Sequence, residues 1–132
     1  MVQLDREDVV GLEISTRESG DVTILDLRGT ATIGADTELL RSHLKELVAS
    51  GLRKLLLNLA DLKQIDSSGV SIVVRTCDSL RRQGGDLRLL RPGGRVLEVF
   101  RVLHLLQVLL SFEDETQALV SFRPRGYAAS SS

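Results

Sequence analysis

The run Ile65-Asp66-Ser67-Ser68-Gly69 sets a carboxylate and two hydroxyls side by side, just ahead of a segment with helical periodicity. Val70, Val73, Val74, Cys77 and Leu80 follow at i, i+3, i+4, i+7 and i+10, which is one stripe of an α-helix. Ser71, Arg75, Asp78 and Arg82 fall on the opposite face. The tetrad Asp66-Ser67-Ser68-Gly69 therefore belongs at a helix N-terminus, where backbone N–H groups lack partners and the dipole presents partial positive charge. Two kinds of chemistry suit that place. Asp and Ser are preferred N-cap residues, and either adjacent serine could cap the helix while the other stays exposed. Such a terminus also accommodates a phosphate esterified to a hydroxyl. The two roles are compatible.

Other candidates for chemistry are sparse. Cys77 is the single cysteine, so no internal disulfide forms, and it falls on the apolar stripe as a small core residue. His43 lies beside the apolar stripe of an earlier helix and reads as a boundary residue. His104 is far from it in sequence, and no Gly-x-Ser-x-Gly elbow is present, so a serine hydrolase is a weak rival. Gly93-Gly94 is too short to cradle a phosphate, which leaves the chain without a nucleotide loop or an expected cofactor. Arg81, Arg82, Arg88, Arg91 and Arg95 form a locally basic stretch that reads as a solvated face. With aromatics at 3% and a net charge of -1, nucleic acid and anionic membranes are not expected partners.

The elements that position the tetrad follow from pattern. With 132 residues, 42% of them apolar, the chain has the size and composition of one globular domain. Residues 1–11 read as a loose arm, 12–122 as the domain, and 123–132 as a flexible tail. Leu12, Ile14 and Thr16 alternate with polar residues as in a half-exposed strand, and Ser19-Gly20-Asp21 turns the chain into a strand over 22–27. Gly29 is expected to break that strand, with a short third strand over 30–33. Asp36 reads as an N-cap or first-turn acid of a helix carrying Leu40, Leu44, Leu47 and Val48, ended by Gly51. Leu55 to Leu59 is apolar without alternation, the pattern of a central strand covered on both faces. After the Ser67 helix come a Gly84-Gly85 stop, a strand over 86–90 and a turn at Pro92-Gly93-Gly94. A helix carrying Val96, Val99, Phe100 and Leu103 follows, then a strand over 108–112 and a helix over 113–122. The order implies an α/β fold, a mixed sheet of about four to six strands packed with about four helices. No apolar run approaches the ~20 residues of a membrane span, and Met1 to Val10 carry acids rather than an apolar signal core. The cytoplasm is the expected compartment.

Leu57-Asn58-Leu59-Ala60-Asp61-Leu62, then Ile65-Asp66-Ser67-Ser68-Gly69-Val70, then Gln83-Gly84-Gly85, together resemble STAS domains, and among them bacterial anti-sigma factor antagonists. The likeness covers roughly residues 12–122. It implies a STAS-like mixed sheet and a protein-interaction module without catalytic activity. It also implies that Ser67 is phosphorylated by a serine kinase with a GHKL-type ATPase fold, which is itself the anti-sigma factor, and that a PP2C-type phosphatase resets it. Ser68 is a secondary hydroxyl. The resemblance places the partner surface at Asp66, Ser67, Ser68, Gly69, Thr32, Ser71 and Arg75. Many antagonists carry an acid where this chain has Thr32, and commonly a glycine where it has His104, a position suited to left-handed backbone at a helix end. Rival roles within the resemblance are a STAS subunit of an ABC lipid transporter and a stressosome-like scaffold.

Overall fold

The computed structural model describes residues 11–123. The expected arm and tail lie outside the described residues, apart from Gly11 and Arg123. The elements are β1 (Leu12–Ser19), β2 (Val22–Ala31), α1 (Ala35–Ala49), β3 (Lys54–Ile65), α2 (Ser67–Arg82), β4 (Asp86–Leu90), α3 (Gly94–Val102), β5 (Ser111–Phe112) and α4 (Glu115–Val120). The five strands lie in sequence order across one sheet. β1 and β2 form an antiparallel hairpin, and β2, β3, β4 and β5 run parallel. The sheet is mixed, as the sequence pattern implies.

The run of leucines in β3 has both faces covered. Leu55, Leu57 and Leu59 share a core with Leu40 and Leu44 of α1, Val70 and Val73 of α2, and Phe100 of α3. Leu56 points the other way, to Val22, Ile24 and Leu90, where Ala118 of α4 and Phe122 cover the sheet. Each such leucine, withdrawn fully from water, contributes roughly 1.5–3 kcal/mol. Burial on both faces thus makes β3 the element around which both layers form.

Several elements depart from the sequence pattern, each for a local reason. β2 passes through Gly29 without a break, and no separate strand forms over 30–33. Gly29 takes φ 99, and the irregularity becomes a register shift against β3, between the pairs Gly29↔Leu62 and Thr30↔Gln64. Val74 is half-buried, whereas Ile72 and Thr76 are buried, because α2 packs on α1 as well as on the sheet and so hides a wider band. Leu103 is exposed, since α3 ends just before it. The strand expected over 108–112 shrinks to Ser111–Phe112, and the last helix to Glu115–Val120, started by Asp114 accepting from the Gln117 N–H at 2.9 Å. Of the two roles the sequence left open to Asp36, it takes that of first-turn acid of α1, whose N-cap is Gly34. His104 takes the left-handed φ of 58 expected at the end of α3. Gly85 is explained by contact: a Cβ there would lie 1.9 Å from the Arg53 carbonyl oxygen.

A polar clamp pins α4 to the sheet. The Arg17 guanidinium donates to both carboxylate oxygens of Asp26, at 2.6 and 3.1 Å, and to both of Glu115, at 2.8 and 3.1 Å. Asn58 on β3 donates to Asp26 at 2.7 Å. Hydrogen bonds from Arg17 hold the carboxyls of both Asp26 and Glu115 below their ordinary range, against the opposing effect of burial. A lowered folded-state pKa adds stability that is complete above the ordinary carboxylate range and fades as pH falls through the lowered values. Arg17→Ala is therefore expected to lose about 1 kcal/mol at neutral pH, as the clamp is partly solvated. The deficit should narrow below about pH 4, where the carboxylates of the unfolded chain begin to take up protons that the clamped ones resist. Urea unfolding at pH 7 and pH 3 checks this, and an equal deficit at both would remove the clamp from the account.

Candidate functional site

The parallel pairing of β2 and β3 carries their C-terminal ends to the same edge of the sheet. Ala31 pairs with Ile65, and the Asp66 N–H donates to the Ala31 carbonyl at 3.3 Å. The loop of residues 32–34 entering α1 therefore lies beside the start of α2. Asp66 joins the two. Its backbone is extended, at φ -108 and ψ -176, which turns the carboxylate over the first turn of α2. One oxygen accepts from the Ser68 and Gly69 N–H groups, at 3.0 and 3.1 Å. The other accepts from the Ile33 N–H at 2.8 Å.

The cap is thus Asp66 and neither serine. Ser67, the first residue of α2, is exposed, and its hydroxyl takes no part in the cap; Ser68 is half-buried. Gly69 is buried and sits where a Cβ would lie 2.7 Å from both the Ala31 carbonyl oxygen and Ile65 Cγ1. A glycine at this place lets the first turn of α2 rest directly on the ends of β2 and β3. That contact raises Ser67 at a defined height above the sheet edge.

Ser67, Ser68, Ser71 and Arg75 line one open cleft of about 580 Å3, opposite Ile33 and Gly34. Thr32 is not part of the cleft lining and donates to Asp36 Oδ2 at 3.3 Å; Thr30 donates to the same oxygen at 3.1 Å. Asp36 therefore places a carboxylate within hydrogen-bond reach of Thr32, a proximity that four residues of sequence separation did not disclose. Ile33 is also absent from the residues expected at the site. It is 78% exposed, the largest exposure among the bulky apolar side chains described. Its signal in the sequence was an isoleucine immediately ahead of a helix-starting glycine. Arg41 pairs with Glu38 on the α1 side of the cleft, while Arg75 has no ion-pair partner among the described residues.

The remaining candidates lie elsewhere. Burial raises the Cys77 thiol pKa, and the side chain is in the core, a setting that disfavours thiolate. The His43 ring lies 3.1 Å from the Thr16 hydroxyl and does not line the Ser67 cleft. Among the described residues, no cluster of potential metal ligands is found and no helix is long and apolar enough to cross a membrane. Of the basic stretch, Arg81 and Arg88 both engage Asp86, and Arg88 lies over the Phe122 ring, 4.5 Å from its centroid.

Comparison with known proteins agrees with this architecture. The STAS domain family model matches residues 13–118. A Thermotoga neapolitana protein, provisionally named an anti-sigma factor antagonist, is 29% identical over 80 residues, which is 61% of this chain and 71% of that one. A Thermotoga maritima structure with the same provisional naming has a TM-score of 0.78 at 23% identity, over 84% of this chain and 95% of that one. SpoIIAA, described as a Bacillus cell fate determinant and solved in its phosphorylated form, has a TM-score of 0.67 at 21% identity, over 84% and 100% of the two chains. At these identities, the two solved structures establish likeness of fold.

The joint itself is open to test. Asp66→Ala should cost about 1–2 kcal/mol through the lost cap. It should also release the Ile33 amide to faster hydrogen exchange. Gly69→Ala should cost about 1–3 kcal/mol, because the added methyl meets a backbone carbonyl that cannot turn aside. Urea midpoints measure both losses. A Gly69→Ala protein as stable as the parent would mean that the first turn of α2 can lift off the sheet.

Proposed function

Because the chain belongs to the STAS domain family, we propose that it acts as a phosphorylation-switched anti-sigma factor antagonist in the bacterial cytoplasm. In this reading it is a binding module with no catalytic activity of its own. The observation that carries the proposal is the division of labour in the tetrad. Asp66 takes the cap, which leaves the Ser67 hydroxyl exposed on the rim of a cleft. The name of the Thermotoga neapolitana relative supports the partner class.

The partner is a serine kinase of the GHKL type that also serves as the anti-sigma factor. Docking of the unmodified antagonist on that kinase frees the sigma factor. The docking surface comprises Ile33 and Thr32 from the loop before α1, Asp66, Ser67 and Ser68 of the tetrad, and Ser71 and Arg75 on α2; Gly69, buried beneath them, supports this surface without belonging to it. The kinase then transfers the γ-phosphoryl group of ATP to Ser67 Oγ. A P–O bond forms to the serine, the bond to ADP breaks, and the hydroxyl proton leaves to a base on the kinase.

Phosphorylation adds about 1.5 to 2 negative charges at a surface that docking would desolvate. An uncompensated buried charge costs several kcal/mol, enough to release the partner. The capped first turn of α2 tolerates the anion, so the domain stays folded. A PP2C-type phosphatase hydrolyses the ester and restores the hydroxyl.

Mass spectrometry after incubation with ATP and the kinase encoded nearby tests this reading. Phosphate is expected on Ser67. Ser67→Ala should remain bound to the kinase, and Ser67→Asp should bind weakly while melting like the parent. Arg75→Glu should weaken binding more than Arg53→Glu. Phosphate on Ser68 alone would overturn the residue assignment. Intact binding without phosphate on either serine would favour the scaffold or ABC-transporter role.

A further inference from the structure

Beyond the Ser67 cleft, α1 and α2 lie side by side and leave a second cleft of about 340 Å3 between them. Its two walls are facing helical stripes. Arg41, Leu44, Lys45 and Val48 recur at i, i+3, i+4 and i+7 on α1, and Ile72, Arg75, Thr76 and Ser79 do so on α2. The floor is apolar, formed by Leu44 and Ile72, and the Thr76 hydroxyl is satisfied by the Ile72 carbonyl at 2.8 Å. Ala49 and Ser79 are the smallest side chains of its lining. Its size falls within the range of small-molecule pockets, about 300–1,000 Å3.

The rim is cationic. Lys45 lines the cleft from α1 and Arg75 from α2, and neither has an ion-pair partner among the described residues; Arg41 is held by Glu38. Separated single cations above an apolar floor match one anionic head and one apolar chain. The head group follows from the backbone. The walls are helix interiors whose N–H groups are already bonded within the helices, so they lack the cluster of free donors that a phosphate favours. A carboxylate is satisfied by one or two charged side chains.

We propose that the cleft between α1 and α2 binds a single-chain acyl carboxylate, with the chain over Leu44 and Ile72 and the head between Lys45 and Arg75. This site is separate from the phosphorylation of Ser67 and does not depend on that reading. Arg41, Ile72 and Arg75 line both clefts, so an occupied groove changes the surface that adjoins the tetrad.

The test is a titration of the uniformly 15N-labelled full chain with decanoate, below its micellar concentration, followed by amide shifts. Saturable shifts are expected at Leu44, Val48, Ile72 and Thr76. Lys45→Glu should weaken binding about tenfold, as one charge-assisted contact is lost. Ala49→Leu should abolish binding by filling the gap, and decanol should bind more weakly than decanoate. A dispersed spectrum for each variant shows that it is folded. Absent saturation, shifts centred elsewhere, or equal binding to the Lys45→Glu protein would overturn the proposal. So would protein-concentration-dependent shifts of the same amides without decanoate, which would assign the groove to a second copy of the chain.

Discussion

One carboxylate, that of Asp66, holds together the two places where the chain leaves the sheet for its first two helices. Three backbone N–H groups converge on it, two from the first turn of α2 and one from the loop ahead of α1. Each of these amides lies at a helix entrance or an adjoining loop, where regular backbone pairing is unavailable. Had a serine taken the cap, one hydroxyl oxygen would have had to serve donors on both loops. The carboxylate has two oxygens and divides them between the loops, which is why an acid precedes the serines.

That joint can form only because the sheet delivers its ends correctly. Parallel pairing sends the C-terminal ends of β2 and β3 to the same edge, and the Ala31–Ile65 pair sets their relative height. Gly69 then allows α2 to rest on both strand ends. Hydrophobic burial supplies most of the stabilisation beneath this arrangement, through leucines of β3 that face alternately into two cores. On the thinner side, the short helix α4 is tied down by Arg17, which engages the sheet and the helix with one guanidinium. The thicker layer, made of three helices, carries the exposed serine and both clefts.

Much of this was legible in the residue pattern, and the failures share a cause. The leucine run of β3 declared a strand covered on both faces, and the stripe from Val70 to Leu80 declared α2. Both signals are periodic and local. What escaped were features set by neighbours distant in sequence. Gly29 looked like a break because a glycine's tolerance of left-handed φ does not reveal that a register shift will absorb it. Ile72 and Thr76 lie outside the stripe from Val70 to Leu80, and α1, packed on a second side of α2, is what buries them. The tetrad's position at a helix start was readable, but which side chain would cap was not. That choice depends on the Ile33 amide, more than 30 residues away in sequence and brought near by strand pairing. Ile33 and Asp36 joined the neighbourhood of the site by the same route.

The two residues of β5 have an effect on how this protein can meet others. A sheet's last strand is a template on which a foreign strand can add its own backbone, and a long flat edge invites fibres. Here one border offers only two residues of ladder. The other, β1, is studded with Glu13, Arg17 and Glu18, with Arg17 drawn across to Asp26. Such borders make poor nuclei for strand addition, so crowding many copies together carries little risk of sheet-to-sheet stacking. Association is left to side chains on helices and loops, where a single substitution can alter who is recognised without disturbing the fold.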